Sequence, residues 1–268
     1  MKIRLDKYLA DAGFGTRNEV KALVKSGAIT INGEKIKDSS QKVDTDTDEV
    51  NVNGEDVDYS EYEYYMLYKP AGIITASRDK KEETVLNLIK SKKRRDLFPV
   101  GRLDRDTEGL LLITNDGELS HKLLSPGKHV EKGYVAVVTG YSPDDIEALF
   151  ENGLDIGDEK PTKPAKLRRF SDLEEFMTEY DDSYFAEKFS KLKEDESLTI
   201  YEIKITEGRY HEIKRMFEAV GCSVVYLKRY SMGSLTLDPE LKPGEYRKLK
   251  IDEYKKLKTT CTAPFLVI

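Results

Sequence analysis

Residues 110–113, Leu110-Leu111-Leu112-Ile113, form a continuous apolar run that ends at the turn Asn115-Asp116-Gly117. Such a run reads as a buried strand, and a chain that contains one must build a sheet and cover it with other elements. The stretch ahead of it is polar, Gly101-Arg102-Leu103-Asp104-Arg105-Asp106-Thr107. A polar loop feeding a core strand is a common place for a site. Asp104 stands there between Arg102 and Arg105, company that keeps a carboxylate ionised and suits a nucleophile or an ion pair better than a general acid. The spacing alone fits a surface salt-bridge cluster at least as well. Asp106 adds a paired-carboxylate hydrolase site as a further alternative, although residues two apart face the same way only in a regular strand.

Around that strand the chain falls into two parts. In residues 1–58, Leu5, Tyr8, Leu9 and Ala12 recur at helical spacing before Gly13. A second helix opens at Thr16 with Glu19 three residues on, a capping box, and stops at Gly27. Asn32-Gly33 and Asn53-Gly54, each between alternating residues, predict two tight hairpins. The acidic run 44–49 lacks the glycine and closing glutamate of a calcium loop and reads as a solvated turn. Residues 59–65 read as a linker, and 66–255 as a second domain with a tail from 256 to 268. In it, strand-like segments (65–68, 72–76, 110–114, 134–139, 199–206 and 223–228) mix with helix-like ones (84–90, 117–124, 142–152 and 211–220). Without a strict strand–helix rhythm, this predicts an α+β fold with a mixed, mainly antiparallel central sheet flanked by helices.

A chain of 268 residues, 38% hydrophobic, is long enough for one substantial domain and a small one. No stretch is apolar enough to span a membrane, and the start reads as a helix rather than a signal peptide, so a cytoplasmic protein is expected. Cys222 and Cys261 stand far apart with no histidine cluster, which supports neither a disulfide framework nor a metal site. The net charge of −6 is uneven: residues 171–197 hold ten acids and three lysines, leaving the remainder near +1. Basic clusters at 90–95, 160–169 and 247–258 make nucleic acid a permitted partner. The acidic segment also carries Phe176, Tyr180, Tyr184, Phe185 and Phe189, so it reads as a partly ordered helical insertion, separable from the chemistry.

In "EGRYHEIKRMFEAVG", residues 207–221, Ile213, Met216, Phe217 and Val220 form the apolar face of a helix. Arg209, His211, Lys214 and Arg215 load its first half with cations, which the macrodipole opposes, so a phosphate or a carboxylate must offset them. Tyr134 heads the strand in "EKGYVAVV", a position more often filled by a core side chain than by a catalytic one. These segments, with "MLYKPAGIITAS", "GRLDRDTEGLLLITNDGELSHKLLSP", "KPTKPAKL" and "MGSLTLDPELKPGEYRKL", resemble in order and content the RsuA-type ribosomal RNA pseudouridine synthases, and residues 1–58 resemble an S4 RNA-binding domain.

The resemblance implies conversion of a uridine to pseudouridine without metal or cofactor. Asp104 falls on the family's catalytic aspartate, Tyr134 on its active-site tyrosine, and Lys214 on the basic residue expected to pair with the aspartate, with Arg215 as neighbour. Arg102 is placed to grip or replace a flipped uridine, and Arg209 and His211 to contact RNA. In the S4 part, Arg4, Lys7, Arg17, Lys21 and Lys25 are the phosphate-contact candidates. "KPTKPAKL" and "HEIKRM" lean toward the branch acting on small-subunit 16S RNA, in an assembly intermediate and as a monomer. Large-subunit 23S RNA is the alternative within the family. A non-catalytic S4-type RNA-binding protein would have no need of Asp104, Tyr134 and Lys214 together.

Overall fold

The computed structural model describes residues 1–57, 59–90, 96–192 and 198–262. The basic run at 91–95 and the acidic residues 193–197 lie outside the described residues. The chain divides into two compact units, Met1–Glu63 with Ile89–Phe98 and Tyr64–Leu88 with Pro99–Ile268.

In the first unit, β1 (Lys2–Arg4) leads into α1 (Leu5–Asp11), and α2 (Arg17–Lys25) follows. The predicted capping box opens α2: the Glu19 amide donates to the Thr16 hydroxyl while the Thr16 amide donates to the Glu19 carboxylate. By contrast, α1 begins at Arg4 without a side-chain cap and is held by burial of Leu5, Tyr8 and Leu9. β2 (Ile29–Ile31) turns into β3 (Glu34–Lys35), β4 (Lys42–Asp44) pairs with β1, and β5 (Val50–Val52) turns into β6 (Glu55–Asp56). Both hairpins turn on the predicted Asn-Gly pairs, with φ of 51° and 82° in one and 54° and 86° in the other. That left-handed backbone is tolerated by these two residues and matches the twist of the strands. The acidic run after β4 is a turn in which the Asp44 amide donates to Asp48 at 2.8 Å.

The remaining elements are β7 (Tyr64–Lys69), α3 (Val85–Leu88), β8 (Phe98–Pro99), β9 (Glu108–Thr114), α4 (Gly117–Leu124), β10 (Lys132–Thr139), α5 (Ile146–Asn152), β11 (Lys166–Arg169), α6 (Leu173–Tyr180), α7 (Ser183–Leu192), β12 (Thr199–Ile205), α8 (Glu212–Ala219), β13 (Ser223–Met232), β14 (Leu235–Thr236), β15 (Tyr246–Lys248) and α9 (Ile251–Thr262). The central sheet runs β11-β12-β10-β13-β9-β7-β15. Along this path each pair is antiparallel except β13 with β9, so the sheet is mixed and mainly antiparallel, as predicted. All seven residues of β9 are buried, which explains its apolar run. The β9–β13 seam rests on two registered pairs, Glu108 with Lys228 and Gly109 with Arg229. A Cβ at Gly109 would lie 2.1 Å from the Arg229 carbonyl oxygen, and φ there is +107°, so glycine is required for the strands to meet.

Four expectations are corrected. Residues 72–76 form no strand: the Gly72 amide donates to the Arg105 carbonyl at 2.7 Å, so the segment folds onto the Asp104 loop, and only an isolated bridge links Ile74 to Thr84. The helices expected at 84–90 and 142–152 shrink to α3 and α5. The tail drawn from residue 256 cuts α9, whose Leu257 is fully buried; a single apolar side chain among lysines hid that packing. Finally, the acidic insertion is not separable. Phe176, Phe185 and Phe189 of α6 and α7 share a core with Phe170, Val135, Val137 and Tyr226. Burying one such ring stabilises by about 1.5–3 kcal/mol, so excision would uncover the sheet. Its acids find internal partners: Asp172 accepts from the Glu175 amide (2.9 Å), Glu175 and Glu179 hold Arg168, and Asp182 accepts from the Phe185 amide and pairs with Lys228. Among the described residues no helix is long and apolar enough to cross a membrane.

Candidate active site

The loop ahead of β9 is fixed from behind. Lys69, at the end of β7, is fully buried, and its ammonium donates to the carbonyls of Pro70 (3.0 Å), Arg105 (3.2 Å) and Thr107 (2.9 Å). Burial lowers its pKa to about 8, opposed by the negative charges of Glu108, Asp106 and Asp104. The Thr75 hydroxyl donates to the Leu103 carbonyl (2.7 Å) and accepts from the Leu103 amide (3.2 Å). The Arg105 guanidinium donates to the Gly72 carbonyl at 3.0 Å. With the loop's carbonyls tied to Lys69 and Thr75, the Asp104 carboxylate is left partly exposed and faces the start of α8.

There, His211 adopts a left-handed backbone (φ 48°) at the cap of α8, with Tyr210 stacked on its ring at 3.9 Å. Its Nε2 lies 3.5 Å from one Asp104 oxygen, and Lys214 Nζ lies 3.8 Å from the other. Lys214 is held more closely by Asp106, at 2.6 and 2.7 Å. Burial alone would raise the Asp106 carboxyl, but the bond and charge of Lys214 hold it below its ordinary value. Asp106 is thus the nearer anion of a three-cornered cluster with Lys214 and Asp104. The cations at the head of α8 are offset by carboxylates, one of the two solutions expected.

Arg215 turns away from Asp104. It donates to Asp158 (2.6 Å) and to the Tyr210 and Ile156 carbonyls. Arg209 is braced in the same direction, by Glu207 (3.1 Å), Asp158 (3.3 Å) and the carbonyls of Lys160 and Pro161 (both 2.7 Å). The structure therefore joins Asp104 to His211 and Lys214, and gives Arg209 and Arg215 partners within the protein. Arg102 is exposed beside Asp104. Tyr134 is buried on β10, in register with Arg229, which in turn is in register with Gly109 just past the loop. Arg229 donates through Nε to the Leu110 carbonyl at 2.8 Å, and its buried Nη2 has no hydrogen-bond partner. Lys69, Thr75 and Arg229 were not singled out from sequence. A lysine closing an apolar strand before proline was the signal available for the first.

Beneath α8, Glu212 is buried and accepts from the Arg209 amide at 2.8 Å. Burial pushes its carboxyl up to about 7, and the neighbouring Glu207 carboxylate adds to the rise. Glu207 itself would be raised by burial, but the Lys163 amide and Arg209 lower it. Ionising Glu212 therefore opposes the fold: the stability it contributes is complete below about pH 4.5 and is lost as pH rises through about 7. Glu212→Gln imitates the protonated form, so it should melt like the parent at pH 4.5 and be more stable at pH 8, by up to about 3 kcal/mol. Thermal melts across that range check it; a stability difference independent of pH would refute the assignment.

In the N-terminal unit, Lys7, Arg17, Lys21 and Lys25 are exposed on α1 and α2, whereas Arg4 is tied to Asp6 at 2.7 Å. Among the described residues no group of His, Cys, Asp or Glu could hold a metal ion.

Comparison with known proteins follows the same division. Residues 63–219 match the family model for RNA pseudouridylate synthase, and residues 3–50 match the S4 domain. An uncharacterized RNA pseudouridine synthase of Bacillus subtilis is 47% identical over 94% of this chain and 96% of its own. The ribosomal large subunit pseudouridine synthase B of the same organism is 36% identical over 95% of each chain. The ribosomal small subunit pseudouridine synthase A of Pasteurella multocida is 35% identical over 94% of this chain and 97% of its own. A crystal structure of a pseudouridylate synthase superposes with a TM-score of 0.61 at 33% identity, covering 95% of this chain and 99% of the other. The chain belongs to the RNA pseudouridylate synthase family, with an S4 domain at its N-terminus.

Proposed function

We propose that this protein converts a uridine of ribosomal RNA to pseudouridine, with small-subunit RNA as its substrate. The observation that carries the chemistry is Asp104, presented on a loop pinned from behind and faced by His211 and Lys214. Isomerisation breaks the N1–C1′ bond, joins C5 to C1′ and moves the C5 proton, in net, to N1, so it balances without oxidant or reductant. In this reading Asp104 is the nucleophile, toward either C6 of the uracil or the anomeric carbon. Lys214 sets its positive charge 3.8 Å from the Asp104 carboxylate, and Tyr134 packs on the base and assists removal of the C5 proton. Arg102 grips the flipped nucleotide's phosphate or fills the space it leaves. The protein works as a cytoplasmic monomer on a small-subunit assembly intermediate.

Relatives bear names for both ribosomal subunits; lysine at 214 in "HEIKRM" favours the small one. The test maps pseudouridines by adduct-blocked reverse transcription in ribosomal RNA from cells with and without the protein. Loss of one small-subunit site is expected. A missing large-subunit site would move the substrate to 23S RNA, and an unchanged map would overturn the reading.

The exposed cations of α1 and α2 give a second test. Replacing Lys7, Arg17, Lys21 and Lys25 by Gln should weaken RNA binding and flatten its salt dependence, each lost phosphate contact lowering the log–log slope by about 0.7–0.9. An unchanged slope would remove these helices from the RNA interface.

A further inference from the structure

Next to the Asp104 loop lies a cleft of about 340 Å³, whose lining includes Asp106, Glu108 and Lys214, Lys188 and Lys191 of α7, and Val225 of β13. It exists because β13 pairs with β9 only from Lys228 onward, so residues 224–227 form an open edge of the sheet. The insertion supplies part of the cleft's wall. Although the segment is acidic overall, α7 turns Lys188 and Lys191 into this cleft, while Asp172, Glu175, Glu179 and Asp182 are engaged in helix caps and ion pairs elsewhere. Lys188 is anchored by the buried Glu108 (3.4 Å) and lies over the Tyr184 ring. Among the described residues Lys191 pairs across the exposed face with Glu187, a solvent-screened contact that a phosphate can displace.

We propose that this cleft is a binding site for the RNA strand adjoining the target uridine, with Lys188 and Lys191 contacting its phosphates. The assignment rests on the reading of the protein as an RNA isomerase. Two observations select RNA as the occupant. The cleft is continuous with the Asp104 site through the shared residues Asp106 and Lys214, and its lysine rim complements a polyanion. Val225, an exposed apolar residue of the lining, offers a surface against which a base can rest. The acidic insertion thereby serves as a substrate wall, with Asp172, Glu175, Glu179 and Asp182 holding it in place.

The experiment compares the full-length protein with Lys188→Gln/Lys191→Gln and with Lys191→Gln alone, using transcribed small-subunit ribosomal RNA. Filter binding over a salt series gives Kd and its slope, and single-turnover assays at saturating RNA give the rate of pseudouridine formation. The double variant should bind three- to tenfold more weakly, with a slope lower by about 1–2, and keep its saturating rate within twofold. Lys191→Gln alone should show about half the change in slope, and it remains a test if loss of the Lys188–Glu108 pair unfolds the double variant. Unchanged Kd and slope in a folded variant would overturn the proposal, as would a fallen rate at saturating RNA with unchanged Kd. The two readings fail separately: a parent protein that binds this RNA but isomerises no uridine defeats the reaction, while the binding series still judges the cleft.

Discussion

Asp104→Asn should lose pseudouridine formation by roughly 10⁴-fold or more, the scale expected when the nucleophile of a covalent mechanism is removed, while RNA binding stays within a few-fold. The amide is isosteric and faces His211 and Lys214 at the same 3.5 and 3.8 Å as the carboxylate, so the loop has no reason to move. What disappears is the charge and with it the nucleophile. Asp106→Asn is the control. It frees Lys214 from its 2.6 Å partner and should retain measurable turnover, because Asp106 holds the lysine rather than attacking the nucleotide. Single-turnover rates and filter binding on the two variants decide the matter. Substantial activity in Asp104→Asn, or equal losses in both, would contradict the division of labour.

Lys69→Met should lower the single-turnover rate by about 10²-fold, the penalty for a misplacement near 1 Å of a reacting group, with little change in melting temperature. Two opposing terms produce that split. Removing the ammonium takes one donor from each of the Pro70, Arg105 and Thr107 carbonyls, of which Arg105 keeps the Gly72 amide, at about 1–3 kcal/mol for each that is left unpaired and dry. Burial, however, lowers the pKa of Lys69 to about 8 from 10.5, so the folded state already carries about 3 kcal/mol against the charged amine, which methionine relieves. Stability roughly balances; the position of Asp104 does not, because the loop loses the ammonium that ties its Arg105 and Thr107 carbonyls together and keeps the Gly72 amide at Arg105. A variant with normal rate would show that Lys69 has no part in positioning Asp104.

Local signals in the sequence transferred to the structure wherever the physics was local. Thr16 and Glu19 cap α2, and Asn32-Gly33 and Asn53-Gly54 turn their hairpins. The apolar run at 110–113 lies in β9, central to the sheet. Legibility ended where a residue's role depends on distant partners. Residues 72–76 read as strand-like, yet they serve the Asp104 loop through Gly72 and Thr75. The acidic count of the insertion concealed that its aromatic rings, not its charges, set its place. In the site, the cations of α8 pointed to a carboxylate or phosphate partner, but which carboxylate each would find was not written locally: Lys214 lies nearest Asp106, and Arg215 reaches Asp158.

The two-rung seam between β9 and β13 divides the catalytic sheet into halves, β11-β12-β10-β13 and β9-β7-β15. Asp104 belongs to the second half, whereas Tyr134 and Lys214 belong to the first. On the roles proposed for these residues, either half folded alone would hold an incomplete set of reacting groups, completed when residues 108 and 228, far apart in the chain, come into register. Such a long-range closure is slow relative to the local hairpins and helices. If those roles hold, turnover requires this junction to be closed, and a chain in which it is open is expected to be chemically silent toward RNA.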